Sequence, residues 1–507
     1  MLNLLILVAC ARAPVAHDVG LPPQPGHLTI LHTNDLHGHF LPEPAEWLDG
    51  RPAIGGMVRL EQEVRALRAQ RPEGSVVLLD GGDLLTGTPL TDMELEGAKG
   101  GAMMKLLGRV GYDLWVVGNH EFDKGLDNLA ALTRISPIPV LSANLRAPGG
   151  ERPLLPRQKT SEVLRVGDLK VAVIGATTDA LARLMNARDF SRLELLKVEA
   201  AVRAEVARLS PRVDVVVVLS HIGLDADRAL ARAVPGIDVI VGAHSHTRLT
   251  HAEVVEDTWI VQAGSYGRSL GVVDLDVSGG RVGGVRYQLR DLLPAEATIP
   301  PDPGLVAMVD GWKRDMDGYY GHRVTTAPAL LGRSYHHESA LGKWITDALR
   351  EAAESDVAFY NGGGLRADLP AGEVSRGSIY ACFPFNNEVK RFGIRGDALR
   401  GVLLRNAMAE LDEKRGFVSV SGVSYRWRTV NGAAEVVDAY VGGKPLDPAR
   451  LYTAATTSYI AEQWEKHLGA EPIELVTLPV TDFDAALAHA AGGPLIAPGD
   501  ARAVRID

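Results

Sequence analysis

Five short apolar runs in this chain each end in a cluster of Asp, His or Asn: LTILHTND, VVLLDGGD, DLWVVGNHEFD, VVVVLSHIG and VIVGAHSHT. Each reads as a buried strand that stops where polar ligands begin. In open α/β sheets the carboxyl ends of the strands line the site. That arrangement gathers Asp35, His37, Asp83, Asn119, His221, His244 and His246 from distant parts of the sequence. Seven hard or borderline ligands on one rim is what two adjacent divalent metal ions need.

The chain has 507 residues, too many for one typical domain, so two or three are expected. Residues 28–290 alternate strand-like and helix-like segments. In 56–70, Val58, Leu60, Val64 and Leu67 recur near helical spacing, and Val198, Val202, Val206 and Leu209 do so in 197–209. Strands alternating with helices make an α/β domain. Segment 258–275 reads as paired strands with Gly264 and Gly267 between them. Pro294, Pro300, Pro301 and Pro303 then mark a boundary before a helix-like stretch. The expected division is 1–27 leader and linker, 28–295 catalytic domain, 296–325 linker helix and 326–507 a smaller α+β domain.

Asp35 and His37 lie two apart after a strand, so alternation would turn both to one side. Asp83 closes the DGGD turn, and a carboxylate bridges two cations better than an imidazole or an amide does. Asp83 is therefore the expected bridge. Asn119 offers a neutral carbonyl oxygen, and His221, His244 and His246 offer imidazoles. His32, His39, His251 and Asp80 read as structural. His120 stands beside Asn119 without being placed as a ligand. It suits stabilisation of a transition state or protonation of a leaving oxygen, with Asp123 close enough to hold its ring. In the second half, Asn361-Gly362-Gly363-Gly364-Leu365-Arg366 follows an apolar strand. Gly363 and Gly364 suit a close backbone approach to an anion, and Arg366 offers a planar fork for phosphate.

The ordered string DLHGH, GGD, GNHEFD, SHIG and GAHSHT resembles the calcineurin-like metallophosphoesterase superfamily. With LHTNDLHGHF, LSANL, NGGGLR and FPFNNEV, the chain resembles its 5'-nucleotidase branch. The resemblance implies a four-layer α/β/β/α sandwich followed by the smaller α+β domain. It implies one metal on Asp35, His37, Asp83 and His246, and a second on Asp83, Asn119, His221 and His244. It implies a His120–Asp123 dyad, and nucleotide contacts from Asn361, Arg366, Phe385 and Asn387, with Phe385 stacking on the base. The family's glycine-rich turn near the end, with a second stacking aromatic, is replaced here by TTSYIAEQWEKHLGAEP, where Tyr459 or Trp464 could substitute.

The activity implied is phosphate release from nucleoside 5'-monophosphates through water activated by two metals, Zn, Mn or similar. The same ligands serve 2',3'-cyclic nucleotide phosphodiesterase/3'-nucleotidase, UDP-sugar hydrolase and sulfur-carrier hydrolase relatives. A surface binding protein without turnover is the reading from another class. The expected partner is a small-molecule nucleotide. A net charge of −10 argues against a general nucleic-acid binder and so against a duplex. Residues 2–9 resemble the apolar core of an export signal, and Leu7-Val8-Ala9-Cys10 resembles a lipobox, though no Lys or Arg precedes the run. The expectation is export to the periplasm or cell surface, with Cys10 as a lipid anchor. Cys382 reads as a buried small hydrophobe.

Overall fold

The computed structural model describes residues 26–507 apart from 46, 47, 151, 186 and 413–415. The leader and Cys10 lie outside the described residues. Among the described residues no helix is long and apolar enough to cross a membrane.

Two sheets dominate the first domain. The seven-stranded sheet takes its strands in the order Gln158–Lys159, Val140–Leu141, Leu114–Val116, Val76–Asp80, Gly26–Thr33, Ser269–Ser278 and Arg281–Asp291. The six-stranded sheet runs Ser161–Val166, Leu169–Thr177, Val215–His221, Val239–Val241, Thr258–Val261 and Glu253–Val255. The apolar runs show no polar alternation because both faces of each sheet are covered. Val215, Val217 and Leu219 meet Leu28, Ile30 and Leu79 of the other sheet. Their neighbours Val216 and Val218 turn outward onto Val202, Val206 and Leu230 of the helices Val198–Leu209 and Leu224–Ala233. Leu31 and Leu78 turn the opposite way, onto Leu60, Val64 and Leu107 of the helices Met57–Ala69 and Gly101–Val110. The layers are therefore α/β/β/α. The central strands of each sheet pair in parallel, which puts their carboxyl ends, Thr33 with Asp80 and Thr177 with His221, on common edges.

Segment 258–275 departs from the expected hairpin. Thr258–Val261 pairs with Val239–Val241, whereas Ser269–Ser278 pairs antiparallel with Gly26–Thr33 in the other sheet. The intervening loop crosses between the sheets at the rim. Asn34 pins the crossing there by accepting from the Ala263 N–H at 2.9 Å. Two strands that complete different sheets cannot also pair with one another.

Asp302 caps the helix Pro303–Tyr320 by accepting from Leu305 N at 2.6 Å. Leu305 and Val309 of this helix are buried in the core of the first domain. At its far end the Tyr320 ring meets Tyr380 edge-on at 5.4 Å. The strand Arg323–Ala327 already pairs with Gly372–Ser375. Beyond it a five-stranded sheet runs Val418–Ser421, Val357–Asn361, Leu451–Thr457, Glu388–Arg395 and Ile473–Thr481. The helices Ala340–Ala352 and Asp482–Ala490 cover one face and Gly396–Ala409 the other. Cys382 is buried there as a free thiol. Tyr380 donates a hydrogen bond to Asp92 of the first domain, and Asp92 also pairs with Lys124.

The cohesion of the sandwich predicts a measurable asymmetry. Leu275→Ala, between the sheets, is expected to lower unfolding free energy by about 2–5 kcal/mol. Leu330→Ala, at 57% exposed, should change it by less than about 0.5 kcal/mol. Urea midpoints of the two variants test this, and equal midpoints would contradict it.

Candidate metal centre and active site

Asp35, His37, Asp83, His244 and His246 all have left-handed backbone, with φ of 52°, 48°, 55°, 74° and 53°. This corrects the alternation argument for Asp35 and His37. Their strand ends at Thr33, and each side chain is aimed by its own turn. A non-glycine residue held this way costs on the order of 1–3 kcal/mol, so neighbouring structure must enforce it. For Asp35, His37 and Asp83, two loops supply that enforcement by pairing main chain to main chain. Asp35 N donates to Gly82 O, His37 N to Asp83 O and Gly38 N to Leu84 O, each at 2.9 Å. Glu121, fully buried, collars the second loop by accepting from the N–H groups of Asp83 at 3.0 Å, Leu84 at 2.7 Å and Gly118 at 2.7 Å. A Cβ on Gly118 would stand 2.2 Å from Asp83 Oδ1, so this position admits only glycine.

The donor atoms face inward in two groups. Asp35, His37 and His246 form one, and Asp83, His221 and His244 the other, the atoms of each lying within 4.8 Å of one another. His37 Nδ1 donates to Thr86 O at 2.6 Å, and His221 Nδ1 donates to Gly81 O at 2.6 Å. Both rings therefore turn Nε2, their remaining coordinating atom, to the interior. His37 Nε2 stands 3.1 Å from His246 Nε2, and His221 Nε2 stands 3.3 Å from Asn119 Oδ1 and 3.1 Å from Asp83 Oδ2. Acceptors crowded at these distances fit divalent cations between them, and mixed nitrogen and oxygen donors suit Zn, Mn and similar ions.

The field tells the same story. Burial would raise the Asp83 acid, yet the imidazoles of His221, His120 and His37 hold it well below the usual carboxylate range. Burial opposes protonation of His221, and the carboxylates of Asp83 and Asp35 overcome it, to about 10. The same carboxylates that favour a proton on Nε2 would favour a divalent cation in its place. Burial pushes His244 down to about 4, with the neighbouring His221 in the same direction.

His120 Nδ1 meets Asp123 Oδ2 at 2.7 Å, and Thr86 Oγ1 donates to the same oxygen at 2.7 Å. Burial disfavours the charged ring, but Asp123 and then Asp83 outweigh it, so the pKa is raised. The His120 main-chain N–H donates to Asp83 Oδ1 at 2.8 Å, which ties the dyad to the expected bridge.

A cavity of about 1000 Å³ opens over this edge and is closed by the second domain. Asp83, Asn119, His120, Asp123, His244 and His246 line it from one side. Asp35, His37 and His221 lie behind them, buried. Asn361, Gly363, Gly364, Arg366, Phe385 and Asn387 line it from the other side. The Phe385 ring is 5.7 Å from that of His120, and the Arg366 guanidinium is 5.7 Å from the Phe385 centroid. Arg366 adds its charge to the field at both His37 and His120. Packing inside the second domain also requires glycine in the NGGG turn. A Cβ on Gly362 would meet Ser334 O at 2.6 Å, and one on Gly364 would meet the Tyr360 ring at 2.7 Å. Tyr459 lines the cavity, whereas Trp464 packs against the core beneath it.

Sequence reasoning assigned no role to Glu121, Thr86, Tyr266, Arg333 or Tyr335. Glu121 stood inside the GNHEFD motif, which was the available signal. Tyr266 stacks on His39 at 4.2 Å and meets His37 and His246 edge-on, from a loop without any motif.

Residues 28–248 match the model of the calcineurin-like phosphoesterase family, and residues 323–468 match that of the 5'-nucleotidase C-terminal domain. The chain is 27% identical over 489 residues to Protein UshA of Yersinia enterocolitica, covering 86% of this chain and 85% of that protein. It is 29% identical over 490 residues to a 5'-nucleotidase of Diplobatis ommata, covering 86% and 82%. The crystal structure of a 5'-nucleotidase precursor from Thermus thermophilus shares the fold with a TM-score of 0.81 and 25% identity, across 95% of this chain and 99% of that one. Both domains are thus matched in their order along one chain, and the protein belongs to the 5'-nucleotidase family as a metal-dependent phosphoric ester hydrolase.

Proposed function

We propose that this chain binds two divalent ions and releases phosphate from nucleoside 5'-monophosphates. The observation that carries the reading is the meeting of two donor groups with Arg366 and Phe385 across one cavity. One ion would be held by Asp35, His37 and His246, the other by Asn119, His221 and His244, with Asp83 shared between them. When bound, the ions supply Lewis acidity toward the phosphoryl oxygens and lower the pKa of water.

The chain's own groups do the rest. Arg366 forms no ion pair with a carboxylate among the described residues, so its fork is available to phosphate. Phe385 offers a face on which a base can stack. Asn361 and Asn387 add polar contacts at the same wall. Asp123 fixes the His120 proton on Nδ1 and, with Asp83, favours the charged form of the ring against its burial, the form that carries a proton on Nε2. That proton is positioned to pass to the leaving oxygen of the nucleoside.

His120→Ala is expected to lower kcat for AMP by about 10²–10⁴-fold while metal content stays at the wild-type level. A variant that loses metal, and recovers its turnover once metal is restored, would assign His120 to metal retention instead. A panel of AMP, 3'-AMP, cyclic 2',3'-AMP and UDP-glucose should show AMP as the preferred substrate by kcat/KM. Preference for any other member would replace the substrate proposed here.

Chelation should also destabilise the fold, because the left-handed ligand loops and facing acceptors then lack their counter-charge. At a free metal concentration a hundredfold above Kd, the ions contribute about 2.7 kcal/mol per site. The melting temperature should fall with chelator and recover with Mn²⁺ or Zn²⁺. A melting curve indifferent to both would argue against resident metal.

A further inference from the structure

The loop carrying Phe385 and Asn387 and the turn Gly362–Gly364 come from separate stretches of chain, yet they form one wall of the cavity. They are joined by a side chain that does not line the cavity. Asp482 opens the helix Asp482–Ala490 and is fully buried. Three donors converge on its two oxygens. Phe483 N donates to Oδ1 at 2.8 Å. Tyr360 Oη donates to Oδ2 at 3.0 Å, and Asn387 Nδ2 donates to Oδ2 at 3.4 Å. The Asp482 N–H itself donates to Asn387 O at 2.8 Å. Asn387 is thus held at both main chain and side chain. Tyr360 immediately precedes Asn361, and its ring lies against Gly364. One carboxylate therefore braces Asn387 from behind, itself held in place by Tyr360.

We propose that Asp482 is a positioning residue for nucleotide binding, acting through Asn387; this rests on reading the cavity as the nucleotide site. Giving one Nδ2 hydrogen to Asp482 fixes the orientation of the Asn387 amide and leaves Oδ1 as an acceptor and the other N–H as a donor. The amide held this way suits a group that can both donate and accept, such as a ribose hydroxyl. An amide at position 482 cannot reproduce this arrangement. It has one acceptor oxygen and an NH₂, so one of the three donors would face another donor. Burial raises the Asp482 acid to about 7, against the hydrogen bonds from Tyr360 and Asn387, so the test belongs at pH 8, where the carboxylate is ionised.

The experiment is a double-mutant cycle with AMP on the metal-loaded enzyme. Asp482→Asn is expected to raise KM about tenfold, the size of one lost hydrogen bond, with kcat within about twofold. Asn387→Ala should raise KM to a similar extent. Adding Asp482→Asn to Asn387→Ala should then change nothing further, because the intermediary is gone. A KM for Asp482→Asn within about twofold of wild type would overturn the proposal, as would effects that simply multiply. Where Asp482→Asn does not fold, Tyr360→Phe replaces it. Removing that hydroxyl frees Asp482 to shift, and KM should rise about threefold in the wild-type background and not at all beside Asn387→Ala. An unchanged KM for Tyr360→Phe would count against the proposal. Wild-type enzyme inactive on AMP would instead sink the nucleotide reading itself, before any variant is compared.

Discussion

Everything in the first domain serves to hold mutually repelling acceptors together. Asp83 Oδ2, two imidazole Nε2 atoms turned inward by main-chain carbonyls, and the Asn119 oxygen all point into one small volume. Left alone, such a set would spread apart or take up protons, and the strong upward pull on His221 is the second response. The fold resists the first response by pairing the Asp35–Gly38 and Gly82–Leu84 backbones and by collaring the second loop with Glu121. Strain in five of the donor residues is the local cost of that precision.

A thinner architecture could not bear that strain. The ligand loops hang from the ends of strands whose two faces are both packed, so no strand can tilt without disturbing two cores at once. Parallel pairing also sends adjacent carboxyl ends to the same edge, which lets residues from five stretches of chain meet. The four layers and the clustered ligands are therefore one design problem solved together.

Much of this was legible in the chain. Val, Ile and Leu runs without alternation announced doubly covered strands, and the residues ending them proved to share one edge of the structure. Their conformation was not legible. Nothing about Asp35 or His37 as residue types signals left-handed backbone, which is imposed by a loop 45 or more positions away. The 258–275 segment was misread because local turn residues cannot reveal that its two strands complete different sheets. The NGGG turn was located from its sequence, but its packing was not legible there, since the atoms that crowd it belong to Ser334 and Tyr360. Asp482 was invisible for the same reason, with partners 95 and 122 residues distant.

The two domains reach the reaction by different physics, and the cavity needs both. On the first, charge is fixed deep in the protein by burial and by hydrogen bonds from rings to main chain. On the second, Arg366 and Phe385 sit on loops braced from behind. A chain of net charge −10 can still receive an anion here, because the local sign is set by the Arg366 fork, by a His120 ring that Asp123 and Asp83 bias toward its charged form, and by whatever cations the donor groups hold. Those charges count only while the domains stay opposed. The helix Pro303–Tyr320 is anchored by Leu305 and Val309 in the first core and touches Tyr380 at its other end. Tyr380 in turn binds the Asp92 that pairs with Lys124, the residue following Asp123. The contact between the domains thus ends one residue from Asp123, so the placement of Arg366 and Phe385 opposite His120 rests on a single continuous set of packed side chains.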